Sequence, residues 1–246
     1  MEIKSNFSIT NLFATKVIKI SVDNIYAFSM IARPVRDLIE DDKWNSAYNL
    51  LTQDIFKWRE TLHNQIQYDE QLYYIQTMTF QLGAFKQYAA VVDNIHEQLA
   101  YILPGFEICF EDKTWKVNDV TITPEIWNYV VYLLKLICGE KVQKPLIFNS
   151  QAEKDFYLKQ QELENKIKKI KDNADNSKNA DGLMKNILSI TYSFPSITID
   201  YLFDQTLAQI HWLAKMAAQE VSYSVNAQAF AAGNMKKGKK LEFFIK

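Results

Sequence analysis

TIDYLFDQTLAQIHWLAKMAAQEVSYSVNAQAFAA, residues 198–232, is the stretch on which the fold reading turns. Apolar residues recur in it at Ile199, Leu202, Phe203, Leu207, Ile210, Leu213, Ala214, Ala217 and Val221. That i, i+3, i+4 spacing gathers side chains on one face of a helix. Thr198 stands at the N-cap position, and Asp200 puts negative charge in the first turn, at the positive end of the helix dipole. Phe194-Pro195-Ser196 breaks whatever precedes it, and Gly233 closes it. The stretch is read as one long helix at the centre of a helical C-terminal module.

Upstream, Asp181 is a cap for a helix through Leu183, Ile187, Leu188 and Ile190. Residues 172–181, DNADNSKNAD, hold no apolar side chain larger than alanine and read as a flexible linker. Before it, Ser150-Gln151-Ala152-Glu153 matches a capping box, and the helix behind it is rich in Lys, Glu and Gln. Its stripe of Phe156, Leu163, Ile167 and Ile170 is too thin for a domain interior, so it is a solvated connecting helix or one arm of a partner contact.

The N-terminal part mixes both periods. Residues 15–20 alternate as a short strand, and Ser21 and Asp23 cap a helix through Ile25, Phe28 and Ile31 that Pro34 ends or bends. Glu40-Asp41-Asp42 opens a helix carrying Trp44, Tyr48, Leu51, Ile55, Trp58 and Leu62 at spacings of four and three. A second helical region, 69–102, carries Leu72, Ile75, Met78, Leu82, Phe85, Val92, Ile95 and Leu99, with Gly83 as a kink or split. Pro104-Gly105 stops it. Residues 106–110 and 114–117 alternate about a turn, and 120–122 continue a small meander, with the N-terminal strand a candidate further member. Thr123-Pro124-Glu125 starts a helix buried through Ile126, Trp127, Val130, Leu133, Leu134 and Ile137 and stopped by Gly139.

The expected fold is therefore mainly α with a small β meander. An α+β N-terminal domain covers 1–148, a charged connecting helix and linker 149–180, and an all-α module with a basic-aromatic tail 181–246. At 246 residues, 48% hydrophobic and 13% aromatic, the chain can bury a substantial core; six glycines and five prolines suit long helices. A net charge of −1 gives no global attraction to nucleic acid or anionic lipid. No run reaches the ~20 apolar residues of a membrane span, and the N-terminus lacks signal-peptide features. A cytoplasmic protein is expected, with Cys109 and Cys138 as isolated thiols.

No cofactor, metal or catalytic site is expected. His63, His96 and His211 are far apart and lack ligand-spaced neighbours; Glu60 three residues before His63 has no second copy. Phosphate-binding glycine loops and the Gly-x-Ser-x-Gly elbow are missing. After Gly233, Lys236, Lys237, Lys239 and Lys240 precede Phe243 and Phe244. These lysines are the positions for phosphate contact if the chain acts on nucleic acid or as a host-directed regulator.

Tyr192, Phe194, Pro195 and Ser196 form a Tyr-x-Phe-Pro-Ser turn, followed by a helix with an aromatic-leucine-Asp-Gln element (Tyr201, Leu202, Phe203, Asp204, Gln205) and a closing Lys-Lys-Leu-Glu-Phe-Phe-Ile-Lys. This pattern, with the order of strand, helices, meander, helix and charged linker ahead of it, resembles tail-assembly proteins of tailed bacteriophages. That group includes tail assembly chaperones and baseplate-hub assembly proteins. The resemblance implies a non-enzymatic role: binding hydrophobic segments of tape-measure or hub proteins in the cytoplasm of the infected host, with self-association a further option. A structural component of the tail or baseplate, retained in the virion, is the alternative. The partner-contact candidates are Tyr201, Phe203, Leu207, Ile210, Trp212, Phe243 and Phe244, taking an amphipathic helix into a groove.

Overall fold

The computed structural model describes residues 1–40, 42–53, 55–61, 68–140, 142, 146, 148, 150–172 and 180–232. It is mainly helical, with two small antiparallel sheets.

The first sheet joins β1 (Ile3–Ser5), β2 (Val17–Val22) and β3 (Ile25–Ile31) in that order, with α1 (Ile9–Ala14) between the first two. Ser8 caps α1, its Oγ accepting from the Asn11 N–H at 3.0 Å. The expected helix at 25–31 is a strand. Asp23 and Asn24 both have positive φ, +49° and +65°, the backbone of a two-residue hairpin turn that Asp and Asn tolerate well. Phe28 and Met30 then alternate inward beside Ile18 and Ile20 of β2. Pro34, expected to end a helix, instead precedes α2 (Val35–Glu40).

The single helix expected through Leu62 is two: α3 (Asp42–Thr52) and α4 (Ile55–Thr61). The Gln71 side-chain amide donates to the Leu51 carbonyl at 2.9 Å and also to that of Gln53, satisfying carbonyls at the end of α3. Trp44, Leu51 and Trp58 are buried as expected. The region after Asp69 splits at Gly83 into α5 (Gln71–Gly83) and α6 (Ala89–Ile102), joined by a short 3-10 turn. A Cβ on Gly83 would overlap the tip of the Phe110 ring, so a side chain at this corner would require that exposed ring to move. Phe85, placed in the buried stripe by its spacing, is exposed because the helix has already ended.

The meander forms as read: β4 (Phe106–Cys109), β5 (Thr114–Val117) and β6 (Val120–Thr121). It is a second sheet, and the N-terminal strands do not join it. In α7 (Pro124–Ile137), Thr123 Oγ1 accepts from the Ile126 N–H, and Ile126, Trp127, Val130, Leu133, Leu134 and Ile137 are all buried. Trp115 and Trp127 meet at 5.6 Å between ring centres, and both sheets share one core with α3 to α7.

In α8 (Gln151–Asp172), Ser150 Oγ accepts from the Glu153 N–H at 3.2 Å, the first half of the expected capping box. Its first turn is tied to the residues just ahead of α5 by Gln151 donating to Asp69 at 2.9 Å and by an ion pair between Lys154 and Glu70. Then α9 (Ala180–Ser193) begins one residue ahead of the expected cap, Asp181.

Residues 198–232 are not one helix but two, α10 (Ile199–Phe203) and α11 (Leu207–Ala231). Thr198 caps the first, accepting from the Tyr201 N–H at 3.2 Å. A second capping box starts the next: Gln209 Oε1 accepts from the Thr206 N–H at 2.7 Å, and Thr206 Oγ1 accepts from the Gln209 N–H at 3.4 Å. Replacing the buried Thr206 by alanine removes half of that exchange. The expected loss is about 1 kcal/mol, read as a lower urea midpoint at unchanged m-value.

These helices bury Ile187, Ile190, Leu202, Ile210, Leu213 and Ala217 in a second core, which Val35 of α2 completes. The C-terminal helices are therefore fastened to the N-terminal part. The Val35 N–H donates to the Gln205 carbonyl at 2.8 Å, and Arg36 Nε to the Asp204 carboxylate at 3.1 Å. Lys16 donates to the Asp204 carbonyl, and Phe13 meets Trp212 edge-on. Gly139, at φ +76°, lies where a Cβ would overlap His211.

Candidate partner-binding surface

The spacing of α9 produces two apolar stripes rather than one. Leu183, Ile187 and Ile190 turn toward α11 and pack the second core. Met184, Leu188 and Tyr192 follow each other at i, i+4 and i+8 on an adjacent face and remain 49%, 56% and 84% exposed. Only one helix packs extensively against α9 among the described elements, so the second stripe stays uncovered. Three large apolar side chains in line along one helix form a ridge of the kind an amphipathic helix packs against. Leu188, one of the apolar positions that mark this helix in the sequence, belongs to the exposed ridge, as does Met184.

The sequence-predicted contact residues are spread by the fold. Tyr201 and Trp212 are exposed, although Trp212 also meets the Phe13 ring edge-to-face. Phe203 and Leu207 are half-buried against the second core. Ile210 is fully buried within that core, which corrects its assignment as a contact: no partner reaches it without opening the module. Phe243 and Phe244, like Lys236, Lys237, Lys239 and Lys240, lie outside the described residues. So do His63 and the middle of the expected linker.

Other exposed large apolar side chains are dispersed. Ile25 and Tyr26 sit at the β2–β3 turn, and Phe85 and Tyr88 pair edge-on beyond Gly83. A cleft of about 460 Å³ is lined by Tyr68, Asp69, Glu70, Tyr73, Pro124, Glu125 and Lys154. It lies where the first turn of α8 meets residues 68–73 and the start of α7; Lys154 pairs with Glu70, and Asp69 and Glu70 also accept from Gln151 and, at 3.1 Å, from Asn128.

His96 bonds the Phe106 carbonyl at 2.9 Å, and His211 faces Gly139, so the two described histidines serve separate contacts. Among the described residues, no three His, Cys, Asp or Glu side chains gather as metal ligands, and no helix is long and apolar enough to cross a membrane. Cys109 and Cys138 are unpaired. Burial pushes the Cys138 thiol up to about 12, well above its ordinary range.

That shift has a sign. The folded state keeps Cys138 protonated where the unfolded chain ionises, near ~8.5. Its contribution is complete below that value and is lost as pH rises toward about 12. The urea midpoint of the wild-type protein is expected to fall between pH 9 and 11 more steeply than that of Cys138→Ala. Parallel profiles would place the thiol in contact with water.

No family model matches this chain, and comparison with curated proteins and with solved structures gives no match.

Proposed function

We propose that the protein is a non-enzymatic, chaperone-like tail assembly protein of a tailed bacteriophage. In this reading it holds hydrophobic segments of a tape-measure or baseplate-hub protein in the host cytoplasm until they polymerise or dock. The observation that supports it best is the uncovered Met184, Leu188 and Tyr192 ridge on a helix whose other stripe is already packed. Water-facing apolar surface of this regularity is costly to keep and suits a helix-on-helix contact with a client. Tyr201 and Trp212 offer further aromatic surface on the same module. The resemblance to tail-assembly proteins around Tyr192, Phe194 and Pro195 is what supports this client class.

Client position is set differently than the linker composition suggested. The module is held on the N-terminal part by Val35, Arg36 and Phe13, so the client meets a fixed helical surface rather than one on a tether.

Co-expression with the tape-measure or hub protein of the encoding phage tests the proposal. The expected result is a soluble complex where the client alone is insoluble, together with purified particles that lack the chain. Clients equally insoluble with and without it would refute the chaperone reading. Particles carrying the chain at fixed stoichiometry would assign it to the tail or baseplate instead.

A further inference from the structure

The corner between α5 and α6 stands out from the molecule. Every residue from Gly83 to Val91 is exposed, and within this elbow Phe85 and Tyr88 set their rings at right angles, 6.3 Å apart. Lys86 lies between them. It is the only charged residue from Gln71 to Val92, and no described hydrogen bond or ion pair engages it. Two aromatic rings carrying one cation suit a recess that is itself aromatic and negative.

Such a recess lies at the other end of α5. The cleft of about 460 Å³ has Tyr68 and Tyr73 in its walls and sets three carboxylates, Asp69, Glu70 and Glu125, against one ammonium, Lys154. That volume is within the range of pockets that enclose a ligand. Lys154 is paired with Glu70, and Asp69 accepts from Gln151 and lies 4.0 Å from Arg59. Glu125 is exposed and has no partner among the described residues. Elbow and cleft therefore match in shape, convex to concave, in aromatic character and in the sign of their unpaired charge.

We propose that the elbow of one copy of the chain docks in the cleft of a second copy, Phe85 and Tyr88 against Tyr68 and Tyr73, with Lys86 beside Glu125. An elbow cannot enter the cleft of its own chain. Tyr73 and Gly83 are ten residues apart on a single helix, about 15 Å along its axis, and α5 holds them at that distance. Between copies the pairing closes as a two-fold dimer that makes the contact twice, or runs head-to-tail. One elbow buries less than the ~1,200 Å² of a standard interface, so the association is weak and rises with concentration. It is independent of the client and of the α9 ridge.

Sedimentation equilibrium of the full chain, taken up to about 1 mM, tests this contact. Wild type is expected to self-associate. Lys86→Glu and Glu125→Lys, both at exposed positions and matched to wild type in thermal midpoint, should each weaken association at least about tenfold by setting like charges together. Mixed in equal amounts, the two variants should regain it, because each elbow then finds a cleft of opposite charge. Phe85→Ser, which removes a ring and no charge, should lose association on its own. A wild type that stays monomeric would overturn the proposal, as would variants that associate like wild type or a mixture that regains nothing. Association lost only in Leu188→Lys/Tyr192→Lys would also overturn it, by placing the contact on the α9 ridge.

Discussion

Trp127→Ala is expected to remove about 4 kcal/mol of stability, a large share of what a domain of this kind holds. The indole is fully buried and meets Trp115 across the junction of α7 with the meander. Its loss leaves a cavity that two helices and a sheet cannot close together. It also severs a hydrogen bond with consequences elsewhere. Trp127 Nε1 donates to Gln71 Oε1 at 3.1 Å, which orients the Gln71 amide toward the Leu51 and Gln53 carbonyls at the end of α3. Alanine therefore leaves a half-buried acceptor without this donor and loosens a helix end besides emptying volume. Trp127→Phe restores most of the volume but not the donor, and should recover about half the loss. Urea unfolding followed by circular dichroism checks both; a loss under about 1 kcal/mol for alanine would contradict this packing.

Where several local signals coincide, the fold was legible. At α7 the Thr123 cap, Pro124 at the first position, a 3.6-period stripe and Gly139 all agree, and the helix forms where they put it. Failures occurred where one signal had two physical uses. Asp23-Asn24 is as good a hairpin turn as a helix start, and Ile25, Phe28 and Ile31 fit a helical spacing while Phe28 and Met30 fit a strand. Thr206-Leu207-Ala208-Gln209 carried a legible capping box, but the apolar spacing runs through it without interruption and concealed the break.

The candidate surface was only half visible, for a tertiary reason. The periodicity of α9 contains both stripes, and only the position of α11 decides which is covered. Contacts such as Arg36 with Asp204, 168 residues apart, leave no local trace at all.

Leu188→Lys/Tyr192→Lys is expected to abolish client binding while leaving the fold intact. Both positions face water, and cations toward the C-terminal end of α9 suit its dipole, so stability should move by no more than about 0.5 kcal/mol. Binding is another matter. A helix seated on this ridge would bury two ammonium groups against apolar side chains, and desolvating them costs several kcal/mol, equivalent to a loss of about a thousandfold or more. Ile210→Lys is the useful contrast, because it strikes the second core and should unfold the module rather than spare it.

The most direct measurement is co-expression of the tape-measure or hub protein with wild type and with Leu188→Lys/Tyr192→Lys, both first matched for thermal midpoint. Wild type should hold the client in the soluble fraction and the variant should leave it in the pellet. A variant that keeps its client soluble as well as wild type does would contradict the assignment of the α9 ridge as the binding surface.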